Sequence, residues 1–247
     1  GVTVPHRGAV DYALWVRRTF KMDDKQKLGN QAPFYFDNSI FDIYTMLLTG
    51  AEMVIIPEAL FMFPSKLPEF IRDNNITTIF WVPTVMINVA NSGALSEVDM
   101  PTLKTVAFCG EVMPNTQLNI WRKNHPDCVY ANLYGPTEIS DVCTYYIVDR
   151  EFRDNEPLPI GKACENMRII ILNEKNEEAA VNEQGELCVA GTGVSLGYWN
   201  KNDITSKSFI QNPLNPFYEE RIYRTGDLAY INEEGLIMSE EWIIRSR

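Results

Sequence analysis

The 247-residue sequence has only two histidines, no closely paired cysteines and no long apolar run. Its five cysteines are widely spaced without a Cys-x-x-Cys pair, which argues against a zinc knot and against a compact disulfide framework. A reducing, cytoplasmic environment fits this cysteine usage best. No segment approaches the roughly 20 apolar residues of a membrane helix, and the N-terminus lacks a signal-peptide pattern. We therefore expect a soluble protein.

Basic residues are also scarce. The sequence has 22 Lys and Arg against 33 Asp and Glu, which gives a net charge of -11. Such a surface repels phosphate backbones and anionic headgroups, so nucleic acid and membranes are not expected as main partners. The hydrophobic content of 45% and aromatic content of 11% are sufficient for a core. The length suits one large domain or two small ones.

Strand-like and helix-like segments alternate between residues 37 and 134. Residues 40–48 have apolar side chains at helical spacing, and Gly50 follows as a good C-cap. Alternation of this kind predicts an α/β fold with a parallel sheet and flanking helices. The predicted strands are Met53–Pro57, Thr77–Val82, Lys104–Cys109 and Val129–Tyr134.

The pattern changes after about residue 148. Arg168–Leu172 and Glu186–Ala190 have strand character, and turn residues become frequent. The polar, proline-containing stretch 150–159 predicts a boundary. We therefore expect an α/β domain at residues 1–149 and a small β-rich subdomain at residues 150–247.

Two motifs lie at predicted strand ends and should face one cleft, because ligands bind at the carboxyl edge of parallel sheets. The first is Cys109-Gly110-Glu111. The second, Asn132–Glu138, combines an aromatic ring, a Gly-Pro turn, a hydroxyl and a carboxylate. These groups suit a purine, a phosphate and Mg²⁺. An ordinary Gly-Pro turn followed by a helix start explains the same residue types equally well.

Two further glycine-containing motifs lie in the second half. In Tyr223–Asp227, a carboxylate at a glycine turn suits two ribose hydroxyls, although Thr-Gly-Asp alone is more often a hairpin turn. The segment Gly185–Tyr198 lacks the Gly-Lys-Ser/Thr ending of a phosphate-binding loop, and no helix pattern begins there. We interpret this second segment as structural.

The order and spacing of these motifs resemble the adenylation domains of nonribosomal peptide synthetases and their stand-alone relatives, over nearly the whole chain. Phe108–Pro114 is also similar to D-alanine:carrier-protein ligases of the same AMP-binding superfamily. The resemblance implies the second α/β subdomain of an adenylation core at 1–149, and a distorted-barrel subdomain ending near the hinge at 150–247. The matching segments are Phe36-Asp37, Gly110-Glu111, Asn132–Glu138, Gly185–Tyr198 and Tyr223–Asp227.

The resemblance implies a ligase that uses ATP and Mg²⁺ to convert an amino acid to its adenylate, then transfers it to the phosphopantetheine thiol of a carrier protein. Tyr134 would stack on adenine and Asp227 would hold the ribose. Thr137, at the α-phosphate, and Glu138, on Mg²⁺, are the implied catalytic residues. The implied nucleotide-binding residues are Gly110, Glu111, Asn132, Tyr134, Gly135, Thr137 and Asp227.

Asp37 matches the acidic residue that pairs with the substrate ammonium in amino-acid-activating members. The alternative is that Asp37 caps the helix starting near Ser39, which Ser39 itself could also cap. In the implied pocket, Phe41 and Phe80 narrow the space and Asp141 adds an acid. These residues favour a substrate with a small or medium side chain, polar or basic. The implied pocket residues are Asp37, Asn38, Phe41, Phe80, Ala107, Cys109, Leu133, Asp141 and Val142.

Cys109 is expected to be a small pocket wall and not a nucleophile. Neither His6, at the start of the chain, nor His125, beside Pro126, is placed by the sequence to act as its base.

The two ends of the chain depart from the family pattern. Gly1–Arg7 resembles the tail of the passage that follows the family's phosphate loop, and Ser239–Arg247 does not resemble the hinge expected after Met238. We therefore expect a central fragment, without the C-terminal lid domain, that is inactive alone because phosphate donors and a lysine are needed for catalysis. The alternatives are an acyl- or aryl-CoA ligase fragment and a non-catalytic nucleotide-binding remnant.

Overall fold

A computed structural model describes residues 1–239 of the chain. These residues form two compact units that interleave along the sequence. The parallel unit comprises Val16–Leu133 and Ile147–Leu158; the antiparallel unit comprises Gly1–Trp15, Tyr134–Tyr146 and the chain from Pro159 onward. Helix α1 (His6–Thr19) begins the described secondary structure. The division into domains at residues 149 and 150 stays a prediction.

Five parallel strands form the centre of the parallel unit, in the order β2-β1-β3-β4-β5. A helix connects each strand to the next, and every residue of β3 and β4 is buried. Continuous burial is typical of parallel strands covered on both faces. The α/β prediction is therefore confirmed, with strands β1 (Lys27–Asn30), β2 (Glu52–Ile55), β3 (Thr78–Trp81), β4 (Thr105–Phe108) and β5 (Val129–Tyr134), and helices α2 (Ser39–Thr49), α3 (Leu67–Asp73), α4 (Pro83–Asn91) and α5 (Asn115–Asn124).

Helix α2 ends where the sequence predicts. Gly50 has a φ of 78° and donates its backbone N–H to the Met46 carbonyl, as a left-handed C-cap should. Strand β1, in contrast, has no strand-like sequence pattern and was not predicted. Its Gly29 is needed for packing, because a Cβ there would lie 3.0 Å from Ile76 and 3.2 Å from Ile79.

Antiparallel pairing dominates the other unit and confirms the β-rich second half. Strands β6 (Thr144–Ile147) and β7 (Lys162–Ala163) pair with each other. A second sheet has the order β10-β11-β9-β8, with β12 added to β11. Its strands are β8 (Met167–Leu172), β9 (Gly185–Gly191), β10 (Phe209–Gln211), β11 (Arg221–Ile231) and β12 (Ile237–Ser239), and helix α6 (Asn202–Ser208) precedes β10.

Within residues 1–239, no helix combines the length and the hydrophobicity needed to cross a bilayer. The unusual C-terminal tail that the sequence suggests lies, apart from Ser239, outside the described residues.

Asp42, in the first turn of α2, is a buried carboxylate with an exposed fraction of only 1%. Its Oδ2 accepts a hydrogen bond of 2.8 Å from Asn30 Nδ2, and the described residues provide no ion pair for it. Burial raises the pKa of Asp42 to about 7, against a smaller lowering effect of the Asn30 hydrogen bond. Ionisation of Asp42 therefore lowers the stability of the folded protein.

We predict that Asp42→Asn makes stability less dependent on pH. The folded chain binds the Asp42 proton between about pH 4 and 7 and the unfolded chain does not, so the unfolding free energy of the wild type falls as pH rises through this window. At pH 8 the variant should be more stable by about 2 kcal/mol, after allowance for its newly buried amide. Near pH 4 this advantage should be lost and the variant should be the less stable of the two, because the cost of its buried amide remains. Urea denaturation from pH 4 to 8 measures this, with exposed Asp154→Asn as control; parallel curves for Asp42→Asn and wild type would contradict it.

Candidate functional site

The predicted site residues fall in both compact units. In the parallel unit, strand register places four predicted pocket residues on one sheet face. Phe80 pairs with Ala107, and Ala107 pairs with Ala131 of β5, two residues before Leu133. Because side chains alternate along a strand, Leu133 and Cys109 share the face of Ala107. The ring of Phe41, from α2, lies 4.7 Å from the ring of Phe80. All five side chains are buried.

Asp37 and Asn38 lie in the segment between β1 and α2, and both are half-buried. Asn38 occupies the N-cap position of α2, and no side chain there makes a capping hydrogen bond. The Asp37 carboxylate accepts only the neighbouring N–H of Asn38, at 3.1 Å. Ser39 Oγ donates backwards, to the carbonyl of Phe36 at 2.7 Å. The alternative that Asp37 or Ser39 caps α2 is therefore wrong.

Gly110 and Glu111 follow β4. Gly110 has a φ of 102°, in the region that favours glycine. Glu111 Oε2 accepts hydrogen bonds from the backbone N–H of Thr84, at 2.8 Å, and from its hydroxyl, at 2.5 Å. Glu111 thus holds the N-terminal turn of α4, a role that the sequence did not predict. Asn132 is buried in β5, on the sheet face opposite to Leu133.

In the antiparallel unit, two predicted nucleotide-binding residues contact each other. The Tyr134 hydroxyl donates a hydrogen bond of 2.7 Å to Asp227 Oδ2. Burial raises the pKa of Tyr134, and the nearby Cys143 and Asp227 raise it further. Tyr134 therefore stays protonated and orients one oxygen of Asp227. Since the Tyr134 side chain is only 1% exposed, stacking on adenine stays a prediction.

Asp227 owes its position to a bulge in β11. The pairing of β11 with β9 shifts register between Arg224 and Leu228, and Gly226 has a φ of 79°. Thr225 Oγ1 accepts the N–H of Asp227 at 3.0 Å and donates to the Leu187 carbonyl at 2.8 Å. The Thr-Gly-Asp motif is therefore a bulge inside a long strand, and the hairpin-turn alternative is wrong. Bulges re-aim side chains in this way.

The loop after β5 is fastened by the segment that we interpreted as structural. The Tyr198 hydroxyl donates to Glu138 Oε1 at 2.5 Å, and the Ser195 N–H donates to the Glu138 carbonyl at 2.9 Å. Ser140 Oγ donates to the Gly193 carbonyl at 2.8 Å. Residues 193–198 thus fix residues 138–140, and Tyr198 sets the direction of the Glu138 carboxylate. The sequence alone did not single out Tyr198 for this contact.

The same loop has an irregular backbone. Gly135 has no room for a side chain, because a Cβ would lie 2.3 Å from the Asp141 carbonyl oxygen. Ser140 and Asp141 have positive φ values of 64° and 85°. Consecutive non-glycine residues in this conformation store strain, which is common at binding sites. Asp141 and the next residue, Val142, are buried, whereas Thr137 is exposed.

A surface groove of about 590 Å³ lies elsewhere in the parallel unit, along α5 and the start of β5. None of the predicted site residues lines it. It lies beside the amino end of β5, whereas ligands of parallel sheets bind at the carboxyl ends. We assign it no part in the site.

Known proteins match this chain along most of its length. Residues 1–199 match the family described as AMP-binding enzyme. The chain belongs to the AMP-binding enzyme family. It is 33% identical over 238 residues to a D-alanine--D-alanyl carrier protein ligase of Bacillus cytotoxicus, covering 96% of this chain and 46% of that protein. It is 32% identical to tyrocidine synthase 3 of Brevibacillus parabrevis, covering 96% of this chain and 4% of that protein.

The fold of this AMP-binding family member also matches solved structures. The crystal structure of the nonribosomal peptide synthetase FmoA3 superimposes with a TM-score of 0.89 at 27% identity, covering 97% of this chain and 26% of that one. The chain thus spans less than half the length of each of these three proteins. The family resemblance inferred from the motifs is confirmed.

We predict that Glu111→Ala lowers the unfolding free energy by about 1 kcal/mol, because the first turn of α4 loses its cap. Glu111→Gln keeps an acceptor oxygen and should retain most of the stability. Urea denaturation measures both, with exposed Glu97→Ala as the control. Equal stability of Glu111→Ala and wild type would show that the contact contributes nothing.

Proposed function

We propose that this AMP-binding family member activates an amino acid as its adenylate and passes it to a carrier-bound phosphopantetheine thiol, in the cytoplasm. The observation that carries the proposal is the shared apolar face of Phe41, Phe80, Ala107, Cys109 and Leu133. The segment that leads into the helix of Phe41 has one acid, Asp37. An apolar pocket with a few polar groups that fix orientation is the usual design of a small-molecule site. A carboxylate suits the ammonium of an amino acid.

In the proposed first step, a carboxylate oxygen of the amino acid attacks the α-phosphorus of ATP. A phosphorus–oxygen bond forms, the bond to the bridging oxygen breaks, and pyrophosphate leaves. In the second step the carrier thiolate attacks the acyl carbon, and AMP leaves as the thioester forms. The protein's contribution is positioning and charge stabilisation. Both steps need the amino acid, ATP and a carrier protein as partners.

Contacts in the antiparallel unit support two of the proposed nucleotide roles. Asp227 has one oxygen fixed by Tyr134, which orients the carboxylate for ribose hydroxyls. The exposed Thr137 hydroxyl is available to the α-phosphate. Gly110, Glu111 and Asn132, in the parallel unit, and Gly135, in the antiparallel unit, are further proposed nucleotide-binding residues.

Glu138 fits a magnesium ligand. Magnesium is usually held by one or two carboxylates together with substrate phosphates and water, and Glu138 is half-buried next to exposed Thr137. The chemistry that a bound magnesium ion supplies is neutralisation of phosphate charge. The hydrogen bond from Tyr198 would fix the orientation of the Glu138 carboxylate as a magnesium ligand.

A small or medium side chain is proposed for the substrate. The Phe41 and Phe80 rings occupy space on the pocket face, and Asn38, Asp141 and Val142 are proposed to contribute polar and apolar contacts. The matched D-alanine ligase carries a small amino acid in its name, which is consistent with this size.

We predict that Asp37→Ala lowers kcat/KM for the amino acid by about 10- to 100-fold, since a hydrogen bond to a charged group contributes about 1.5–3 kcal/mol. The KM for ATP should stay within about twofold, because ATP does not use this carboxylate. Amino-acid-dependent pyrophosphate exchange measures both in the polypeptide that carries these 247 residues, with exposed Asp24→Ala as control. Undiminished exchange would refute the ammonium role; exchange driven instead by aryl or fatty acids would indicate a CoA ligase.

The 247 residues alone are expected to show little exchange, and the same assay tests this. Equilibrium titration of that chain with ATP and with a stable acyl-adenylate analogue tests the binding site directly. Binding of neither ligand would favour a structural remnant.

We also predict that Tyr198→Phe raises the Mg²⁺ concentration needed for half-maximal ATP binding by about three- to tenfold, because one hydrogen bond to a carboxylate is lost. Calorimetric titration of nucleotide at several Mg²⁺ concentrations measures this without catalysis. Tyr230→Phe, on β11, is the control. An unchanged Mg²⁺ requirement would limit Tyr198 to a packing role.

A further inference from the structure

The segment between β1 and α2, residues 31–38, carries Asp37 and gains little from apolar burial. Its three consecutive aromatic residues, Phe34, Tyr35 and Phe36, are 55%, 85% and 55% exposed. Something other than core packing must therefore hold this segment. Ser39 contributes at its far end, where its Oγ donates to the carbonyls of Phe36 and Phe34.

Asn30 and Asp42 close the segment across its base. Asn30 is the last residue of β1, and its Nδ2 donates to the Ala32 carbonyl at 3.1 Å and to Asp42 Oδ2 at 2.8 Å. Asp42 lies one turn into α2, beyond the far end of the segment. One side-chain amide thus ties the strand end, the start of the segment and the following helix together. The two side chains are only 4% and 1% exposed.

Burial of this pair lowers the free energy of unfolding, which argues against a purely stabilising role. A buried carboxylate without a cation costs free energy, and apolar residues of similar volume often replace buried charged groups without loss. Thr45, one turn further along α2, provides a comparison within the helix. It is fully buried, and its hydroxyl has no hydrogen-bond partner among residues 1–239. The polar contact at Asp42 is therefore a specific connection and not a general property of this helix face.

We propose that Asn30 and Asp42 are positioning residues that hold residues 31–38 so that Asp37 meets the substrate ammonium. This inference rests on the proposed function, since it assigns the Asn30–Asp42 pair to that same pocket. The pair does not touch the substrate; it acts through the segment. Loss of the connection should impair amino-acid binding and leave the ATP site, on other elements, unaffected.

Steady-state pyrophosphate exchange tests the proposal in the polypeptide that carries these residues. Asp42→Ala and Asn30→Ala should each raise the KM for the amino acid at least tenfold, with the KM for ATP within twofold. Asp42→Asn retains an acceptor oxygen and should stay within threefold of wild type. Thr45→Val removes a buried hydroxyl of the same helix that makes no hydrogen bond, and it should leave both KM values unchanged.

Amide hydrogen exchange separates this proposal from the proposed function, because it needs no activity. Exchange of residues 31–38 should become at least tenfold faster in Asp42→Ala and remain unchanged in Thr45→Val. Absence of amino-acid-dependent pyrophosphate exchange in the wild-type polypeptide that carries these residues would refute the proposed function, while the amide data would still establish or refute the connection. Unchanged amide protection in Asp42→Ala, or equal increases in both KM values, would overturn the positioning role.

Discussion

The register of the parallel strands is the constraint on which the parallel unit depends. Phe80 faces the same side as Ala107 only because β3 and β4 pair without an offset. A shift of one of these strands by one residue would turn its side chain to the opposite face and separate the pair, since side chains alternate along strands. The same pairing determines which loops leave at the carboxyl edge. Backbone hydrogen bonds therefore decide the composition of the proposed pocket as much as the side chains do.

The antiparallel unit achieves positioning by different means. Its candidate residues lie in a loop and a bulge, where no regular ladder fixes them. Polar contacts replace the ladder: Ser140 bonds to Gly193, Tyr198 bonds to Glu138, and Tyr134 bonds to Asp227. Each contact joins elements that are far apart in the sequence. Hydroxyl groups in this unit thus hold the candidate residues in place, as is usual where ligands bind.

Local patterns predicted the elements whose stability is local. The buried run of β5 and the glycine at the end of α2 follow from hydrophobicity and from the left-handed preference of glycine, so both were predicted from residue types alone. Strand β1 was missed because Gly29 serves close packing by Ile76 and Ile79, and such packing leaves no trace in the strand's own sequence. The motif order was sufficient to identify the family.

The candidate site was predictable in its residue types but not in its connections. Thr225-Gly226-Asp227 suits a hairpin turn and a bulge alike, since both accept a glycine with positive φ, and only the pairing of β11 distinguishes them. Tyr198 lies 60 residues from Glu138, and a single sequence contains no signal for so distant a contact. Asp42 was likewise hidden, because an acid near a helix start is ordinarily a favourable surface residue.

The left-handed backbone at Asp141 also limits how the protein can be re-engineered. At φ 85°, glycine, asparagine and aspartate are accommodated with least strain, and β-branched residues fit worst. Saturation libraries at this codon would therefore yield few folded variants. Diversity introduced at Phe80 or Ala107, in regular strands, changes side-chain volume without opposing the backbone. If the proposed pocket selects the substrate, its specificity is therefore more readily altered in the sheet than in this loop.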